Sequence, residues 1–77
     1  MYMNNQRRKQ IVEIINALTL HIALLEKIQD EEQTALNNKM EYFFASDSIQ
    51  DSEDAIELMA EALSNLYDAV SSLENIE

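Results

Sequence analysis

Along the second half of the chain apolar residues alternate at intervals of three and four: Ile56, Met59, Leu63, Leu66, Val70 and Leu73. That alternation is the a/d seam of a coiled-coil helix. Beside it Ala55, Ala62 and Ala69 recur every seven residues. Small side chains on one flank let a neighbouring helix approach to the short end of the usual separation of about 8–10 Å. The first half is helical in pattern from Asn5 to about Met40, with two adjacent apolar rows. One runs Ile11, Ile15, Leu18, Ile22, Leu25; the other runs Ile14, Ala17, His21, Leu24, Ile28 and, two turns on, Ala35. Val12, Leu20 and Ala23 widen them into a broad stripe, which predicts contact from more than one side. After Ile28 the run Asp30-Glu31-Glu32-Gln33 is polar all round, and only Ala35, Leu36 and Met40 continue the face.

The reversal is placed between Tyr42 and Asp51, where Ala45-Ser46-Asp47-Ser48 combines small and side-chain-capping residues. Ser48 with Asp51 three residues on reads as a capping box, and Asp51 is itself a candidate N-cap. The second helix is then expected to begin within a few residues of Ser52, with Glu53 and Asp54 in its first turn. A break near Asn37-Asn38 with a short third helix is the competing geometry. The chain has no Gly and no Pro, so the turns of a β-rich fold are lacking. The fold expected over residues 1–77 is a single all-α domain, an antiparallel helical hairpin.

Lengths carry this further. At about 1.5 Å per residue the first helix spans roughly 50 Å and the second roughly 37 Å. A hairpin closing near residues 40–52 sets Ile76 beside Asn16 and leaves Ile11, Val12 and Ile15 past the end of the second helix. Uncovered rows of that kind mark an interface. Self-association through Ile11, Val12, Ile15, Leu18 and Ile22 into a four-helix bundle is the economical solution. A core this small supplies only about 3–5 kcal/mol unbraced, and with no Cys no disulfide braces it.

Charge divides the chain. The first forty residues balance Arg7, Arg8, Lys9, Lys27 and Lys39 against Glu13, Glu26, Asp30, Glu31 and Glu32. Residues 41–77 hold the other ten of the 15 carboxylates, no Lys and no Arg, and so the whole net charge of −10. The Arg7-Arg8-Lys9 cluster ahead of an apolar stretch superficially mimics a signal peptide. Glu13, Asn16, Thr19 and His21 interrupt that stretch, which is too short and too polar to span a bilayer. A cytoplasmic protein without direct nucleic-acid or membrane binding is expected.

Candidate chemistry is sparse. His21 sits on the apolar stripe and reads as a core-edge histidine bonded to a neighbour, since a catalyst or ligand needs partners in reach. No serine lies in a nucleophile elbow. Asp47, Asp51 and Glu53 lack the glycine of a calcium loop, and Leu58 stands where its bidentate glutamate would be. No enzyme, metal or cofactor is expected. The sharper candidates are partner-binding. Glu53, Glu57 and Glu61 form an i, i+4 row flanked by Asp54 and Asp68, with charges about every 6 Å along the axis, close to the spacing of phosphates on a nucleic-acid strand. Such a row could fill a basic groove on a DNA-binding protein, or simply keep a bundle soluble. Tyr42, Phe43 and Phe44 either plug the bundle end or form a binding anchor.

Asp30-Glu31-Glu32-Gln33, Leu36-Asn37-Asn38 and Gln50-Asp51-Ser52-Glu53 leading into the heptad resemble small acidic proteins encoded by bacteriophages and prophages. The similarity spans roughly residues 5–77. Members of that group usually carry a proline after the Asn-Asn stretch; Lys39-Met40-Glu41 stands there in this chain, which leaves open whether the first helix stops there. The resemblance brings no activity and no functional residues. It implies a viral or prophage setting, in which small acidic proteins act by binding host machinery. The expectation is therefore a non-enzymatic protein-binding module, a phage accessory protein. The alternative is an acidic nucleic-acid mimic of the anti-CRISPR or anti-restriction type, acting through Glu53, Glu57, Glu61 and Asp68.

Overall fold

The computed structural model describes residues 3–42 and 47–76, with the side chains of residues 41 and 42 excepted. Helix α1 runs Asn5–Tyr42 and helix α2 runs Asp47–Glu74, folded back on α1 as an antiparallel hairpin. α1 is continuous through Asn37-Asn38, so no third helix forms among the described residues. Its 38 residues account for the 58 Å length of the molecule at about 1.5 Å each.

The helix ends have local causes. Asn4 caps α1, its Oδ1 accepting the Arg7 amide at 2.8 Å, which satisfies one of the donors that a helix start leaves free. Arg7, Arg8 and Lys9 oppose the α1 dipole, yet the antiparallel fold sets that turn beside the carbonyl end of α2, where cations are favoured. Arg8 accordingly shares a cleft with Leu73 and Ile76. The final turn of α2 tightens, with the Ile76 amide donating to the Leu73 carbonyl at 3.2 Å in the i+3 manner common at helix ends. Helix α2 starts at Asp47, earlier than the sequence pattern suggested. Ser48 and Asp51 therefore lie inside it rather than at its start.

That early start moves the register. Ile11 and Ile15 lie in the cleft with Leu73 and Ile76, where the overhang derived above left them bare. The two helices meet along one continuous seam. On α1 it runs Arg8, Ile11, Ile15, Leu18, Ile22, Leu25, Gln29, Glu32, Leu36, Lys39, and every one of these is buried or half-buried. The facing row on α2 is Ile49, Ser52, Ile56, Met59, Leu63, Leu66, Val70, Leu73. Both alternate three and four, the a and d positions of a two-helix coiled coil. Apart from Ala35, no other side chain described in α1 is withdrawn from solvent, and apart from Ala55 none in α2.

The seam is thin. Among the described residues its buried apolar side chains are Ile22, Leu36 and Leu63, and the most buried residue is Ser52, 2 % exposed. Toward the hairpin end polar side chains occupy seam positions and pair across it. Gln29 Nε2 donates to the Ile56 carbonyl at 3.2 Å. Lys39 Nζ donates to Ser52 Oγ at 2.7 Å, and Ser52 in turn donates to Glu32 Oε1 at 2.8 Å. The hydroxyl thus bridges an ammonium and a carboxylate two turns apart on α1, and none of the described buried side-chain polar atoms lacks a partner. A heptad slip in either direction would part Ser52 from at least one of the two, so this bridge sets one register, as single polar seam residues do in coiled coils.

Candidate interaction surfaces

One hairpin seam covers only one of the two apolar rows of α1. The second row precedes each a position and stays in solvent: Ile14, His21 and Ile28 are exposed, as is Leu24 one turn outward. Its place on the molecule follows from the opposite flank. Glu26 and Tyr67, which follow the seam residues Leu25 and Leu66, meet there, the Tyr67 hydroxyl donating to Glu26 Oε2 at 3.0 Å. In an antiparallel pair the residues preceding the a positions of both helices share the other flank. Ile14, His21, Ile28 and Ala35 of α1 therefore lie on the same side as Ala55, Ala62 and Ala69 of α2.

The register aligns them. Ile11 and Leu73 share one cleft and Glu32 is bonded through Ser52, so each step up α1 is a step down α2. Carried to the flank, this sets Ile14 level with Ala69, His21 with Ala62 and Ile28 with Ala55. Ala17, Leu24 and Leu58 extend the surface outward. Ile14, Leu24, Ile28 and Leu58 are between 48 % and 63 % exposed. Across these rows, from Ile14 to Ile28 and from Ala55 to Ala69, there is no Asp, Glu, Lys or Arg, in a chain of net charge −10.

His21 lies at the middle of that flank. Its Nδ1 is 2.8 Å from the Ala17 carbonyl; a carbonyl only accepts, so Nδ1 is the donor in this bond. The expected local bond is present, and the ring is exposed at the surface of the hairpin rather than at the edge of its core.

The acidic candidates occupy the far side of α2. Glu53, Asp54, Glu57, Glu61 and Asp68 are all exposed. Asp54, Glu57 and Glu61 border one shallow hollow together with Leu58, and Asp54 is held by Gln50 Nε2 at 2.8 Å. Tyr42 ends α1, but its side chain, like all of Phe43 and Phe44, lies outside the described residues, as does any plug or anchor they form. Of the five residues assigned to self-association, Ile22 is buried and Ile11, Ile15 and Leu18 are half-buried within the hairpin's own seam; Val12 alone is exposed. The pattern missed Gln29, Glu32, Lys39 and Ser52 as seam residues; their three-four spacing was the available signal.

Elsewhere the chemistry is plain. Among the described residues no group of His, Asp and Glu side chains could hold a metal ion, and no helix is long and apolar enough to cross a membrane. The bond to Glu26 raises the Tyr67 pKa above its ordinary 10.0, with desolvation and the carboxylate charge acting in the same direction. Comparison of the chain with protein-family models, with curated proteins and with solved structures gives no match.

Proposed function

We propose that this protein is a non-enzymatic helical module that acts by binding another protein chain through the uncharged flank of its hairpin, in the phage accessory setting that the sequence resemblance implies. One observation carries the reading: Ile14, Leu24 and Ile28 form an exposed surface without charge in a chain that is otherwise strongly acidic, with Leu58 at its edge beside Asp54, Glu57 and Glu61. Contiguous apolar surface of this kind is uncommon on a soluble monomer and marks sites of association. The other sides carry charged residues, among them Glu13, Glu26, Lys27, Glu57 and Glu61.

A second reading rests on a different observation. Glu53, Asp54, Glu57, Glu61 and Asp68 all face solvent on a helix with no Lys or Arg. That row would suit a basic groove, and the protein would then act as a nucleic-acid mimic.

Two paired variants separate the readings. In affinity capture from the native host, Leu24→Ser with Ile28→Ser is expected to abolish recovery of the bound protein, whereas Glu57→Lys with Glu61→Lys leaves it intact. Recovery lost only in the charge-reversed pair would support the mimic and refute the apolar flank.

A further inference from the structure

The flank pairs large residues with small ones in a way that fits itself. Large or ring side chains (Ile14, His21, Ile28) line α1 at heptad intervals, and Ala69, Ala62 and Ala55 stand level with them on α2. We propose that the occupant of this flank is a second copy of the same chain, related by a two-fold axis parallel to the helices. The proposal rests on the reading that the flank is the docking surface, and adds what docks there.

Rotation about such an axis preserves height along the bundle and exchanges the helices. Ile14 of one copy then comes over Ala69 of the other, His21 over Ala62 and Ile28 over Ala55, large on small in three successive heptads. Every helix gains an antiparallel neighbour, the arrangement of an up-down four-helix bundle. A two-fold axis across the helices would instead stack α1 on α1. Ile14 would then oppose Ile28 and the alanine rows would face each other across a gap, forfeiting the close packing that interiors require.

Charge and area select the same occupant. From Ile14 to Ile28 the flank offers no charge to a basic or acidic partner, and Glu57, Glu61 and Asp68 lie on the outer side of α2, so the centre of the contact between two acidic copies holds no carboxylate; Glu31 and Asp51 border only its hairpin end. What repulsion remains acts over distances that salt screens beyond about 8–10 Å. From Ile14 to Ala35 the flank is about 30 Å long, and the hairpin is 16 Å wide. That gives a footprint of about 500 Å² before side-chain relief, the right order for the roughly 800 Å² per partner of a stable interface.

The chain has no cysteine, so single introduced thiols report contacts cleanly. Ile14→Cys and Ala69→Cys are made as separate chains, refolded together and treated with a short thiol-specific cross-linker; His21→Cys and Ala62→Cys form a second pair. The expected result is a doubled mass relative to the 8.9 kDa chain by sedimentation, with cross-linking between unlike chains in both mixtures and its loss when either chain is treated alone. A dimer joined only between like chains overturns the proposed axis. A monomer of the unaltered protein overturns the second copy as occupant, and an apolar-surface dye then separates the two readings. Dye binding lost in Leu24→Ser keeps the flank as a docking surface for another protein, and no dye binding removes that as well.

Discussion

Leu63→Ala is expected to lower stability by about 2–5 kcal/mol, the range for truncating a buried leucine. In most proteins that is a setback; here it approaches the about 3–5 kcal/mol that a core of this size supplies. The reason is the thinness of the seam, in which Leu63 is one of three buried apolar residues, facing Ile22 near the middle of the hairpin. Urea denaturation followed by circular dichroism should show the midpoint collapsing toward zero denaturant. Leu20→Ala is the control. Leu20 is exposed on the outer side of α1, and its loss should fall within about 0.5 kcal/mol. All variants are compared at one protein concentration, because the stability of a self-associating chain depends on it. Equal effects at the two positions would mean that the seam does not hold the molecule together.

The second large effect concerns the polar bridge. Lys39→Met removes the donor to Ser52 while leaving Glu32 still bonded to that hydroxyl. A buried polar group deprived of its partner costs about 1–3 kcal/mol, and the half-exposed setting of Glu32 and Lys39 argues for the lower part of that range. Adding Glu32→Leu and Ser52→Ala to Lys39→Met should recover the loss and more, since well-packed apolar residues commonly equal or exceed a buried ionic group. The three substitutions are thus strongly non-additive, the signature of residues acting as a unit. The seam without this bridge should also lose its unique register, visible as doubled amide resonances in an NMR spectrum that is single in the unaltered protein. A triple variant less stable than Lys39→Met alone would show that the bridge contributes stability rather than register.

These residues also show where a helical pattern stops being readable. The seam of α2 from Ile56 to Leu73 was plain because every position in it is apolar, and the hairpin followed from it together with the absence of Gly and Pro. On α1 the same three-four spacing continues past Leu25 through Gln29, Glu32 and Lys39. A polar side chain at a seam position looks like solvent-facing sequence until its partner is known, and the partner, Ser52, lies 20 residues further along the chain from Glu32. The start of α2 was misplaced for a related reason. Ser48 and Asp51 have the composition of caps, but the helix begins before them at Asp47, and their local preference yields to packing of Ile49 and Ser52 against α1. Extending α2 backward shifted the register, so that Leu73 and Ile76 reach Ile11. At the open end only Val12 of the three expected residues stays exposed, and Ile14, Leu24 and Ile28 are uncovered on the flank. Both rows of α1 were visible in the sequence; the structure shows that the hairpin uses the row of Ile11, Ile15, Leu18, Ile22 and Leu25.

The account depends on that flank being covered when the protein works. Methyl NMR with a soluble paramagnetic agent reads it residue by residue, with Leu20 as an exposed reference on the same helix. At concentrations where the chain is assembled, the account predicts that Ile14, Leu24 and Ile28 are shielded while Leu20 broadens. Equal broadening at all four positions would contradict it.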